Sequence, residues 1–497
     1  METFNTPQEI LQEIGSIFEF LREEKNEKEL LRGIKASESL FTMDYGLHFE
    51  AILSYFIGNA WSYIQQIRYP NGIINLESKE TEKQIFYYRQ AYMLIKKCND
   101  HSTMCQILTN LGNLFDHIGR HTEAQEYYNL CLKIHPNFGM AIGNRGMGLY
   151  FYARDIFDPV HQFIFLQYAH KYLLETTSKN DILPEDKMTF KSCADHIESA
   201  YPLEELDNYR SYKDFYKGKG KKEIEYREWC RQNTLFINPL NDVLLENNIV
   251  SHDCLTLPPM IFKKDENPNL IYHDIFNQLK QEYVSARYLF FEAISPHSIH
   301  FSDKNVELMD TSNYAEYSLA VEKIKIAFRI CYSIFDKIGY FLNLYFAFGT
   351  EKNKVSFRNI WYNEEKKNKG IKETILHSKN QSLLGLFWLS KDFDEKGIKS
   401  PIEPEAKEIA YIRNFVEHKP FQIVESFNPE WMQETEMLEI DREFFTAKTL
   451  KILKLARAAL MYLSFAVYEE EAKRRSNIKD GLIASVNIPS YKENYKI

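Results

Sequence analysis

The sequence predicts an all-α chain: antiparallel helical hairpins in the N-terminal half and a bundle of long helices in the C-terminal half. Three observations carry this expectation. The text recurs at a spacing of 34 residues between positions 108 and 146. Apolar residues of the second half return with a helical period over stretches too long for ordinary strands. And no segment of that half alternates apolar and polar residues in the manner of a half-buried strand.

In the repeat, Asn110-Leu111-Gly112 returns as Asn144-Arg145-Gly146, and Leu108 returns as Ile142. Between them stand Phe115, a Gly119-Arg120 turn, Ala124, Tyr128, Cys131 and Pro136. Small residues at Gly112 and Ala124 let two helices approach, large residues at Leu108, Phe115 and Tyr128 fill the remaining space, and Pro136 stops the second helix. A degenerate earlier unit is expected at Tyr55–Ala60, with Tyr88, Ala91 and Tyr92 on its second helix and a loop around 70–80. The spacings resemble the tetratricopeptide repeat (TPR). Such hairpins bury their faces only against neighbours, so an array over about residues 1–200 is expected. Its concave surface would bind a protein or peptide trigger; the plainer alternative is a structural platform for the second half.

From Asp207 to Arg231 the text becomes charged and aromatic, with Gly218 and Gly220 inside a lysine run, which predicts a charged linker. Turn formers around Asn238-Pro239 and Asn241-Asp242 suggest an ordered lead-in, so 201–240 is assigned to the junction and 241–497 to the second domain. The Gly-Lys run lacks the frame and preceding strand of a phosphate loop.

The second domain predicts helices over about 277–294, 316–348, 402–418 and 442–475. The third carries Arg413-Asn414 and, five positions after the arginine, His418, with Pro420 just beyond. Arginine clamps a phosphate, and histidine moves protons near neutral pH. Together they suit cleavage of RNA without a metal ion. A plainer reading of the pair is a surface ion pair with a helix-terminal histidine. Because Pro420 disfavours helix at Lys419, His418 should lie in the last turn, where the free carbonyls favour its protonated form. Residues five apart on a helix differ by about 140° in azimuth, so one chain does not aim both side chains at one point. A looser match, Arg154 to His161, is interrupted by Pro159 and falls in the hairpin array.

The Arg-Asn-x3-His text resembles the R-x4-6-H signature of the HEPN superfamily. Glu322–Lys325, Phe335–Ile338, Leu342–Tyr345 and Trp388–Phe393 are similar to the text of a bacterial HEPN family fused to TPR arrays, over roughly residues 225–475. The resemblance implies a helical HEPN-like bundle that dimerises about a twofold axis and pools two motifs in one cleft. It implies a metal-independent endoribonuclease leaving a cyclic phosphate, with catalytic Arg413, His418 and Asn414. It also implies a role in anti-phage defence or a toxin-like stress response, with the array sensing a partner. The alternative is a non-catalytic scaffold that dimerises or binds RNA or protein.

Lys352, Lys354, Arg358, Lys366 and Lys367, interleaved with Trp361 and Tyr362, are candidates for tracking an RNA backbone by charge and stacking. A solvated loop is the competing reading. The net charge of −9 argues against a broad nucleic-acid surface. Seven cysteines stand singly without a C-x2-C pair, and no glycine-rich loop or carboxylate pair signals a cofactor or metal. Neither a signal peptide nor a membrane-length apolar run is read, so a cytoplasmic protein is expected.

Overall fold

The computed structural model describes residues 6–70, 76–209, 216–261, 270–295, 298–363, 370–393, 402–426, 432–434, 436–478, 489 and 491–496. The N-terminal helices are α1 (Pro7–Glu23), α2 (Glu27–Ser39), α3 (Leu47–Arg68), α4 (Lys79–Ile95), α5 (His101–His117), α6 (His121–Ile134), α7 (Gly139–Tyr152), α8 (Pro159–Glu175) and α9 (Pro184–Ala200). Local chemistry sets their ends. Ser78 and Asp100 cap α4 and α5 with side-chain oxygens, and α6 stops two residues before Pro136.

Glycines decide how closely the hairpins close. A methyl group on Gly112 would collide with the Tyr128 ring, and one on Gly58 with the Tyr88 ring. Both halves of the expected repeat chemistry, in the full and the degenerate unit, are thus present. Tyr88, Phe115 and Tyr128 are buried in the core that results.

After the short α10 (Leu203–Leu206), α11 (Lys221–Gln232) occupies part of the stretch read as a linker. Leu235, Phe236, Ile237 and Leu240 behind it are buried. The charged text there is the polar face of a helix, not a wholly open tether.

The C-terminal part contains α12 (Ile271–Ile294), α13 (Leu319–Tyr345), the four-residue α14 (Glu373–Leu376), α15 (Gln381–Ser390), α16 (Ala406–His418) and α17 (Arg442–Ser476). The long helices α12, α13 and α17 pack on one another around Phe290, Phe328, Phe335, Leu453 and Phe465, all buried. Between α16 and α17 lies a small sheet the sequence did not announce: β1 (Phe421–Val424), β2 (Met432–Glu434) and β3 (Leu438–Asp441). Its order is β1-β3-β2, with β1 parallel and β2 antiparallel to β3. Strands of three or four residues are too short for alternation to register. The chain remains all-α in class, with helix over most of the described residues.

The two halves share a buried seam. Asp392, just after α15, accepts both terminal nitrogens of Arg89 at 2.6 and 2.9 Å and one of Arg120 at 2.7 Å. Both guanidinium groups lie over the Phe115 ring, at 5.0 and 4.5 Å. Lys391 donates to the Leu76 carbonyl and to Glu82 at 3.1 and 2.8 Å. On the other side Arg457 of α17 pairs with Asp242 at 2.8 Å, and Asp242 also accepts from Tyr152 at 2.9 Å.

Candidate functional site

Arg413, Asn414, Glu417 and His418 occupy the last turns of α16, which ends at His418 before extended Lys419 and Pro420. They form two neighbouring stripes, since residues four apart share a helix face. Arg413 and Glu417 turn toward α13, while Asn414 and His418 face solvent. His418 is 66% exposed and Arg413 39%.

Arg413 is gripped along its stem and open at its tip. Its guanidinium carbon lies 5.0 Å over the Tyr332 ring. Its buried Nε stands 3.1 Å from Glu417 Oε2 as an ion pair, without hydrogen-bond alignment. The two terminal nitrogens have no ion pair or hydrogen bond among the described residues. Glu417 Oε2 also lies 3.4 Å from His418 Nε2, so one carboxylate touches both motif side chains.

Three residues of α13 support this turn, spaced i, i+3 and i+7 on one stripe. Arg329 donates from Nε and Nη2 to the Val416 carbonyl at 2.9 and 2.5 Å, satisfying one of the acceptors a helix end leaves unpaired. Tyr332 lies beneath Arg413. Asp336 accepts the Phe357 N–H at 3.1 Å. Burial pushes the Asp336 carboxyl up, while that N–H and the Arg413 charge pull the other way. The signal for Arg329 in the sequence was its register with Tyr332 and Asp336 on one stripe of α13.

The basic stretch is divided. Lys352 and Lys354 are exposed on a single 3-10 turn, and Lys354 pairs with Glu351 at 2.8 Å. Arg358 is only 3% exposed and Trp361 is fully buried, its Nε1 donating to the Phe357 carbonyl at 2.7 Å. Tyr362 is buried as well. Arg358, Trp361 and Tyr362 therefore belong to the core and offer no surface to an RNA strand. Lys366 and Lys367 lie outside the described residues. In the looser match, Arg154 stacks on Tyr150 and donates to its hydroxyl at 2.9 Å, while His161 starts a separate helix.

A second recess of about 640 Å³ lies among α1, α3, α4 and α5. Tyr55, Asn59, Tyr63, Gln84, Tyr88 and Asn110 line it. Asn110 donates to the Tyr55 hydroxyl and Asn59 Oδ1 at 3.2 and 3.3 Å, and Tyr88 donates to Asn59 at 2.9 Å.

Residues 263–470 match the family model described as LA2681-like HEPN, and residues 106–138 match a tetratricopeptide repeat. The chain carries an LA2681-like HEPN domain behind a tetratricopeptide repeat. No curated protein and no solved structure matches the chain. The HEPN match spans α12 through most of α17 and includes the whole Arg413–His418 turn. The repeat match covers most of α5, all of α6 and the turn after it. A HEPN domain points to RNA-related chemistry and a TPR to protein interaction. Among the described residues no cluster of three or more His, Cys, Asp or Glu side chains is arranged to hold a metal ion, and no helix is long and apolar enough to cross a membrane.

Proposed function

We propose that the chain is a metal-independent endoribonuclease whose HEPN domain works as a homodimer and whose TPR array senses a protein or peptide partner. The observation that carries the reading is the Arg413 guanidinium: held at its stem by Tyr332 and Glu417, with its terminal nitrogens unengaged beside an exposed His418. A planar fork fixed this way is prepared to clamp a phosphate in two places.

In the reaction, the ribose 2′-oxygen attacks the neighbouring phosphorus and the bond to the 5′-oxygen breaks. In the dimer, the imidazole of one chain takes the 2′-hydroxyl proton and passes a proton on to the leaving 5′-oxygen, opposite a guanidinium from the other chain. The products are a 2′,3′-cyclic phosphate and a 5′-hydroxyl. Arg413 offsets the charge growing on the phosphate, and Asn414, on the same stripe as His418, orients the strand. Lys352 and Lys354 attract the backbone nearby; Arg358 is excluded by its burial. The cellular role that fits is anti-phage defence or a toxin-like stress response in the cytoplasm.

The Glu417 contact with both motif residues favours one rival, a scaffold in which Arg413 only ties the helix end. Mixing separately purified Arg413→Ala and His418→Ala chains distinguishes the two. Each variant alone should lose at least a hundred-fold in RNA cleavage, and the mixture should regain part of it. Unchanged cleavage by His418→Ala would refute the nuclease reading.

A further inference from the structure

The segment leading from α12 to α13 exposes more large apolar side chains than any stretch of similar length among the described residues. Ile299, Phe301, Val306, Leu308, Met309 and Tyr314 are each more than half exposed, Met309 at 86%. Exposed apolar surface gathered in one place marks an interaction site. The segment is tied down at one end. The Tyr314 carbonyl accepts the Glu425 N–H at 3.0 Å and the Glu316 N–H donates to Ile423 at 2.8 Å, so its tail runs antiparallel to β1. Between these ties and Lys304, the backbone groups of Asn305 to Asp310 make no backbone hydrogen bond among the described residues.

We propose that residues 298–314 are a clasp by which the chain grips a second copy of itself beside the motif helix. Three observations select that occupant. β1, which anchors the clasp, begins three residues after His418, so the clasp and the open Asn414–His418 stripe lie at the same end of α16. Asp303, Glu307 and Asp310 outnumber Lys304, which repels an RNA backbone and complements the exposed Arg329 and Lys419 at that end of another copy. Six large apolar side chains from each of two chains would remove on the order of 1,000 Å² from water, the scale of a specific interface. The inference deepens the dimeric reading above and rests on it for the clasp's place near the site.

The test is sedimentation of the full-length chain at micromolar concentration. The wild type should sediment as a dimer. Leu308→Asp with Met309→Asp, and independently Phe301→Asp, should weaken dimerisation at least ten-fold while leaving the far-ultraviolet circular dichroism spectrum unchanged. A wild-type monomer at tens of micromolar, or a dimer indifferent to both variants, overturns the clasp. The measurement involves no RNA. Intact cleavage by His418→Ala alongside clasp-dependent dimerisation would therefore sink the nuclease reading alone.

Discussion

Arg413 is the residue on which structure and chemistry diverge most usefully. With 39% exposure and a single ion pair to Glu417, its removal should cost little stability, within about 0.5 kcal/mol. A urea titration of Arg413→Ala should give a midpoint near wild type even if RNA cleavage is lost. A loss above about 2 kcal/mol would show that the guanidinium is a strut. His418 was legible as the last helical residue because Pro420 forbids another turn. Glu417 as the link between both motif residues was not, since an i, i+4 pair and an adjacent contact look like ordinary surface chemistry in the sequence. Arg358 misled for a related reason: a cation among lysines reads as surface, and its burial depends on residues remote in the chain.

At the scale of elements, the helix ends carry the testable physics. Arg329→Met removes two donors from the Val416 carbonyl and should cost about 1 kcal/mol. Amide exchange should quicken from Val416 to Lys419 and stay unchanged in α17; uniform exchange would refute the capping role. The start of α15 is held by Glu469, whose carboxylate accepts the Gln381 and Ser382 N–H groups, each at 3.0 Å. Burial, then the Asp155 charge, pushes the Glu469 carboxyl up to about 7. Burial pulls the neighbouring His121 imidazole down, but Asp116 and Asp155 outweigh it and hold it up at about 9. Both groups bind protons more tightly folded than unfolded. Glu469 therefore lends stability at low pH that fades as pH rises through about 7, and the share from His121 fades toward about 9. The melting temperature should fall between pH 5 and pH 9, and Glu469→Gln should flatten the part below pH 7. A profile rising over that range would contradict the cluster. The long helices α12, α13 and α17 were readable because their apolar residues keep one period for many turns. The small sheet and the ten-residue α15 were not, because too few residues repeat and α15 is apolar all round.

At the scale of the whole molecule, Asp392 joins the repeat array to the HEPN bundle. Burial alone would raise its carboxyl; Arg120 and Arg89 outweigh it and hold it far below the usual range. Asp392→Ala removes the carboxylate shared by two buried guanidinium groups, leaving Arg89 to Glu403 and Arg120 to Glu123, and should cost about 2–3 kcal/mol, with one cooperative transition lowered throughout. A loss under about 1 kcal/mol would mean the seam is wet and loosely held. The same residue sits next to Phe393, whose ring meets Tyr332 edge-on at 5.5 Å, and Tyr332 lies under Arg413. Array and motif are thus neighbours through one continuous core. Cutting the array away would leave raw, charged interior facing water, so an isolated C-terminal fragment should aggregate. Under the proposed function, a signal from the array would reach the motif helix as a tilt or a tightening of shared walls.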